Sequence, residues 1–140
     1  QETVKIGSCE MRIILFKNPA GATEAINSVL PDKGSVTLGV LLNDRFADGT
    51  DVSWIYDVEF DSLLSMNYKK IIAGGIRAFD MAVRLETGGF QNIDVKENFD
   101  DLLEEIKNTQ GRLYLFTTYT AMITFRKYLY NKKYIKKLWY

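Results

Sequence analysis

Apolar positions along this chain follow two alternating rhythms. Mainly apolar runs recur at 11–16 (M-R-I-I-L-F), 35–42 (S-V-T-L-G-V-L-L), 68–73 (Y-K-K-I-I-A) and, as R-L-Y-L-F-T-T, directly after Gly111. Runs of this length and branching read as strands buried on both faces. Between them residues that are apolar apart from Glu86 fall at helical spacing: Ala22, Ala25, Ile26, Val29 and Leu30; Phe79, Ala82, Val83 and Glu86; Phe99, Leu102, Leu103 and Ile106; Ala121, Met122, Phe125 and Leu129. The spacing predicts helices over about 22–30, 77–87 and 98–108 and from Tyr119 onward, with these residues inward. Punctuation agrees, since Pro31-Asp32-Lys33-Gly34, Gly88-Gly89 and Gly111 each stand where a helix should stop.

Weaker signals fill the gaps. Residues 3–8 and 92–95 read as short strands, the first joined to 11–16 by a hairpin at Gly7-Ser8-Cys9-Glu10. K-N-P-A-G at 17–21 is a loop in which the proline pushes Asn18 to an extended conformation. Trp54, Val58, Asp61 and Leu64 fit a helical spacing poorly, so a short helix or turn is expected there, and another around 60–65. Strands alternating with helices of about ten residues require crossover connections and a mainly parallel sheet between helical layers. The expectation is a Rossmann-like three-layer α/β domain filling residues 1–140 as one unit. Its strands at 35–42, 68–73 and 111–117 should be parallel.

Composition then removes classes of function. Lys plus Arg and Asp plus Glu are 18 each, so no overall field favours nucleic acid or an anionic membrane. No apolar run approaches the ~20 residues that span a bilayer, and Q-E-T-V-K-I-G lacks the pattern of a signal peptide. Cys9 is the one cysteine, which excludes an internal disulfide and fits a reducing compartment. Histidine is absent altogether. There is thus no Ser-His or Cys-His dyad, no His-ligated metal, and no side chain that ordinarily titrates near neutrality.

The candidate chemistry gathers in N-D-R-F-A-D-G-T-D-V-S-W-I-Y-D, Asn43 to Asp57, directly after a buried strand. Loops at the carboxyl end of parallel strands are where open α/β sheets place their ligands. Asp44, Asp48, Asp51 and Asp57 repel one another unless cations or N–H donors meet them. Turns made by Asp44 and Asp48 with Gly49, and a helix near Ser53 capped by Asp51, explain the same residues. A metal held by Asp44, Asp48 and Asp51 is a weaker alternative. Gly74-Gly75-Ile76-Arg77 fits either a tight strand-to-helix turn or an anion cradle. Arg77 is also placed to neutralise the acidic loop. T-T-Y-T at 117–120 lies at the same edge, where its hydroxyls suit a helix cap. The tail, with Lys132, Lys133, Lys136 and Lys137 among Tyr134 and Trp139, fits a solvated or partner-facing helix better than a nucleic-acid surface.

K-N-P-A-G, L-N-D-R-F-A-D-G-T-D-V-S-W-I-Y-D, G-G-I-R-A-F-D-M-A-V-R-L (Gly74 to Leu85) and T-T-Y-T-A-M, in this order, resemble the C-terminal domain of the MurT family. These are the Mur-ligase-like subunits of lipid II isoglutaminyl synthase, and the resemblance runs from about Val4 to Tyr128. It implies a Mur ligase C-terminal-like fold. It also implies a cytoplasmic, ATP-dependent carbon–nitrogen ligase of peptidoglycan (cell wall) biosynthesis, working at the inner face of the membrane through its lipid II substrate. The enzyme amidates D-glutamate with ammonia from a partner, a class I glutamine amidotransferase (glutaminase) subunit. The C-terminal domain is expected to dock that partner and to complete its triad with an acid, Asp51 first and Asp48 second. Gly49, Ser53 and Trp54 would support the loop, and Asn18 and Arg77 would face nucleotide or substrate. The phosphate loop binding ATP and Mg is expected ahead of residue 1, with no cofactor in this domain and no activity from it alone. Nothing is carried onto the tail. A free-standing Rossmann-like module binding a small cationic or hydroxylated ligand is the alternative.

Overall fold

Gly7, at φ 58, closes a turn tighter than the expected one, so that Ile6 already faces Cys9 across the first hairpin. Glycine enters this left-handed region without steric cost, which is what a two-residue hairpin turn demands. In the computed structural model, which describes residues 2–136, the strands are β1 (Glu2–Ile6), β2 (Cys9–Leu15), β3 (Ser35–Leu41), β4 (Asn67–Gly74), β5 (Ile93–Lys96) and β6 (Gly111–Thr117). They form one sheet in the order β1-β2-β6-β3-β4-β5. Only β1 runs antiparallel to its neighbour. The expected parallel pairing of 35–42 with both 68–73 and 111–117 is borne out, and β2 joins them alongside β6.

The pleat sends alternate residues of β3 to opposite cores. Val36, Leu38 and Val40 join Ile71, Ala73, Tyr114 and Phe116 beneath α1 (Pro19–Val29) and α2 (Ala78–Thr87). Leu41, Ile13, Ile72, Leu113 and Leu115 face α3 (Phe99–Lys107) and α4 (Tyr119–Asn131). Burial on both sides explains these mainly apolar runs, and it makes the fold the three-layer α/β arrangement that the alternation implies.

Three helices bury the expected faces. α1 covers Ala22, Ala25, Ile26 and Val29 but starts at Pro19, because Asn18 acts as its N-cap and accepts from the Gly21 N–H at 2.8 Å. α3 buries Leu102, Leu103 and Ile106, while half-buried Phe99 packs on Phe125 and Tyr128. α4 buries Ala121, Phe125 and Leu129, with Met122 half-buried. Buried Arg126 reaches from α4 to Glu2 (Nε to Oε1, 2.7 Å), tying the first hairpin down.

α2 is rotated from the expected face. Phe79 and Val83, expected inward with Ala82 and Glu86, are 59% and 57% exposed, Glu86 is exposed and Ala82 half-buried. Ala78, Met81, Arg84 and Leu85 are buried instead. Both stripes have helical spacing. The inner one was masked by Arg84, whose charge is answered by main-chain carbonyls rather than water.

Between β3 and β4 the chain forms 3₁₀ segments at Phe46–Asp48, Val52–Asp57 and Phe60–Ser65, matching the irregular spacing there. Among the described residues no helix is long and apolar enough to cross a membrane. Lys137 and Trp139 of the tail lie outside the described residues.

At the opposite edge of the sheet, Asp32 after α1 accepts from Arg112 (Nε 2.5 Å, Nη2 3.0 Å), the Tyr114 hydroxyl (2.6 Å) and the Gly34 N–H (2.9 Å). The Arg112 hydrogen bonds first, and then Tyr114, hold its carboxyl well below the usual carboxylate range. A depressed folded-state pKa gives stability that is complete above about pH 4 and lost as pH falls further. Asp32→Asn should therefore lower the urea midpoint at pH 7. Its deficit relative to the parent should shrink steadily below pH 4; a deficit independent of pH would contradict this.

Candidate functional site

The ends of the three central strands are in register. Leu41 pairs with Gly74 of β4 on one side and Thr117 of β6 on the other. The loops that follow therefore emerge side by side at the sheet's carboxyl edge, and Asn43 ties them together. Its N–H donates to Thr118 Oγ1 (3.0 Å), its Nδ2 to Thr120 Oγ1 (3.0 Å), and its Oδ1 accepts from the Ile76 N–H (2.9 Å). Asn43 is buried, and three satisfied hydrogen bonds are what make an amide tolerable there.

The four aspartates of the loop have separate fates. Asp44 pairs with Arg77 at 3.0 Å, and Arg77 also holds Asp80 at 2.7 Å. The expected neutralisation of the loop by Arg77 thus falls on Asp44. Those two carboxylates raise the guanidinium's pKa, Asp80 contributing more, and Asp80's own is lowered. Asp48 is buried and saturated: it accepts from the N–H of Arg45 (3.1 Å), the N–H of Thr120 (2.7 Å) and the Thr120 hydroxyl. Asp48 thus caps α4 from another loop. Thr118, at the N-cap position itself, makes no side-chain cap, because its hydroxyl is engaged by Asn43. The expected Asp48–Gly49 turn gives way to this longer-range link, although Gly49, at φ 90, still bends the loop.

Asp51 is exposed and is the N-cap of the 3₁₀ segment Val52–Asp57, as its spacing to Ser53 suggested. Its Oδ1 accepts from the Ser53 N–H at 2.9 Å. That backbone hydrogen bond, then the Ser53 side chain, lowers the Asp51 pKa, so the carboxylate is ionised at neutral pH. Trp54 is half-buried against the edge of Phe16, ring centroids 5.5 Å apart, and anchors the segment from below. Asp57 is exposed at the segment's far end. A hollow of about 320 Å³ lies between this segment and α2, with Asp51, Ser53, Tyr56, Asp80 and Val83 among its walls.

Because the aspartates are dispersed, no group of three or more Cys, Asp or Glu among the described residues is placed to hold a metal. The β4–α2 turn does not cradle an anion either. Gly75 turns the chain at φ 88, and the N–H groups that follow are committed, Ile76 to Asn43 Oδ1 and Arg77 to the Leu42 carbonyl at 2.9 Å. Asn18, exposed, is occupied as a cap. Cys9 is buried, and desolvation pushes its thiol up to about 11, which makes it inert as a nucleophile. On the α3–α4 side of the edge a cleft of about 410 Å³ is lined by Arg45, Lys96, Asn98, Thr120 and Thr124.

Sequence reasoning missed Asn43, Thr120 and Arg84 as organisers of the site. Asn43 and Thr120 stood inside stretches singled out for other reasons, and Arg84 left a trace as a charge within the stripe Ala78, Met81, Leu85.

A mostly parallel sheet with helices on both faces and a ligand-edge acidic loop defines a Rossmann-like α/β domain. The chain belongs to the MurT ligase C-terminal family, whose model matches residues 15–122. It is 39% identical, over an alignment of 140 residues, to the lipid II isoglutaminyl synthase (glutamine-hydrolyzing) subunit MurT of Streptococcus pneumoniae (strain ATCC BAA-255 / R6). That alignment covers 98% of this chain and 31% of the relative. It is also 39% identical over 77 residues to the subunit of the same name from Staphylococcus aureus (strain COL), covering 55% of this chain and 18% of the relative. The chain therefore spans less than a third of the length of either relative.

Proposed function

We propose that this chain is the C-terminal domain of an ATP-dependent ligase subunit that amidates the D-glutamate of lipid II, and that it docks a class I glutamine amidotransferase and lends it Asp51. The observation that carries this reading is the contrast among the loop's carboxylates. Asp44 and Asp48 are engaged within the domain, whereas Asp51 and Asp57 are exposed, and of these two Asp51 is the one held by a hydrogen bond from the Ser53 N–H and ionised by it. A triad acid must be available to a histidine, hold its tautomer and stabilise its cation. This chain has no histidine, which agrees with a division in which it supplies the acid and the partner supplies nucleophile and base.

The surroundings of Asp51 suit a protein partner. Ile76, Phe79 and Val83 form an outward apolar stripe on α2 and the turn before it, and Tyr56 stands exposed across the hollow. Contiguous exposed apolar surface of this kind marks interaction sites. Small-ligand binding at the acidic loop is less well supported, since two of its carboxylates are already spent.

ATP and magnesium are assigned to the remainder of the subunit. Within this chain Asn18 and Arg77 are committed to a cap and to two carboxylates, and they offer no phosphate cradle. Their role toward nucleotide or substrate is at most across a domain boundary. A lipid II substrate fits a complex that works in the cytoplasm at the membrane's inner face.

The test is reconstitution. The complete subunit, coexpressed with an amidotransferase, should convert lipid II D-glutamate to D-isoglutamine using glutamine and ATP. The 140-residue chain alone should release no glutamate and consume no ATP. Turnover by the isolated chain that is lost on mutating Asp51 would refute this division of labour, as would a complete subunit that binds no amidotransferase.

A further inference from the structure

Arg84 stands on the inner side of α2, where it is 7% exposed. A buried cation is tolerated only when its donors are answered. Its Nε donates to the Ile55 carbonyl and its Nη2 to the Val58 carbonyl, both at 3.0 Å. Nη1 lies 3.8 Å from Asp61, and the guanidinium carbon is 5.5 Å from the centre of the Tyr56 ring and 5.4 Å from that of Phe60. The helix end is cut to fit: a Cβ on Gly88 would come within 2.8 Å of Nη1.

Both acceptor carbonyls lie toward the carboxyl end of the 3₁₀ segment Val52–Asp57, Val58 being its C-cap, and Asp51 is the N-cap at its other end. The direction of the Asp51 carboxylate is set by the Ser53 N–H, and Ser53 is carried by that segment. Two diverging hydrogen bonds from one planar fork fix both position and rotation of the segment, which a lysine ammonium does not reproduce. Trp54 on Phe16 holds the segment toward α1 and β2, while Arg84 holds it toward α2.

We infer that Arg84 is a positioning residue for Asp51, acting through the 3₁₀ segment whose carbonyls it clamps. The inference rests on the function proposed above. It adds that the aim of the exposed carboxylate is set by a buried cation on a neighbouring helix.

The experiment uses the complete two-subunit enzyme. Arg84→Lys should lower kcat for glutamine hydrolysis by up to about 10²-fold, the loss that a misplacement near 1 Å can produce. KM for glutamine should stay unchanged, and rates are compared at matched subunit occupancy because Tyr56, under the Arg84 guanidinium, belongs to the proposed docking surface. In an Asp51→Asn background Arg84→Lys should cost nothing further, because both changes remove the same contribution. Gly88→Ala, which displaces the guanidinium without removing it, should lower kcat in the same direction. Urea midpoints establish that each variant is folded. An Arg84→Lys enzyme with normal kcat, or with a loss additive to that of Asp51→Asn, overturns the inference and leaves the proposed function standing. Loss of fold in both Arg84→Lys and Gly88→Ala assigns the clamp to global stability and also overturns it. A normal kcat for Asp51→Asn itself overturns both.

Discussion

Asp51→Asn in the assembled enzyme is expected to cut glutamine hydrolysis by about 10⁴-fold, the loss seen when a triad aspartate becomes an amide. Asparagine keeps the size of the side chain and an Oδ1 that accepts from the Ser53 N–H, so the cap of the 3₁₀ segment survives. On the proposed function, what would disappear is the charge that stabilises a partner imidazolium and the acceptor that selects its tautomer. Fold and docking should persist, because Asp51 is exposed and its hydrogen bonds are to Ser53 alone among the described residues. Asp48→Asn is the informative contrast. Its carboxylate answers donors on Arg45 and Thr120, and an amide NH₂ would face one of them. That change should cost about 1–3 kcal/mol of stability, with near-normal hydrolysis per folded complex. Glutamate release at matched subunit occupancy decides the matter. A near-normal rate for Asp51→Asn, or a larger loss for Asp48→Asn, would move the role to another carboxylate.

Gly75→Ala is expected to be the most damaging small substitution at this edge. Gly75 adopts φ 88, and an added Cβ would lie 2.5 Å from the Leu42 carbonyl oxygen, 2.7 Å from the Leu42 nitrogen and 2.9 Å from Asn43 Oδ1. Left-handed backbone costs an L-residue about 1–2 kcal/mol, and overpacking a rigid site adds about 1–3 kcal/mol. Two of the three close atoms are backbone of a central segment and cannot rotate away. Relief would require moving β3 from β4 or releasing Asn43 from the Ile76 N–H, and either disperses the three loops. Urea unfolding of the domain should register a loss of about 2–5 kcal/mol. A loss under 1 kcal/mol would show that the turn relaxes at little cost. Gly89 offers an internal control: it also has positive φ, 94, but no atom within 4 Å of the added Cβ. Alanine there should cost only the backbone strain.

Much of the architecture was legible in the chain because it rests on local rules. Apolar runs of strand length, helical stripes and glycine or proline stops are statements about neighbours a few residues apart, and parallel pairing follows from the crossovers they force. α2 shows where such rules run out. Two stripes of similar spacing compete along it, and periodicity cannot say which meets the sheet. The choice fell to Ala78, Met81 and Leu85 because the turn at Gly75 sets the helix's rotation and because carbonyls of a distant segment meet Arg84. Asn18 shows a local signal that helical spacing passes over, since it was read as part of a loop yet caps α1 by accepting from the Gly21 N–H three residues on.

The acidic loop divides along the same line. The sequence by itself determined that carboxylates would gather after β3, that Asp51 would stand two residues before Ser53, and that no histidine could act with them. Those are matters of order and residue type. Only the tertiary structure decided which carboxylates remained available. Asp48 and Asp51 are three positions apart and chemically identical, but Asp48 meets Thr120 at a separation of 72 residues, and Asp44 meets Arg77 at a separation of 33. A carboxylate is consumed by whatever donor the fold brings within hydrogen-bond reach, and such encounters between distant segments follow from the register of β3 with β4 and β6, which no local pattern encodes.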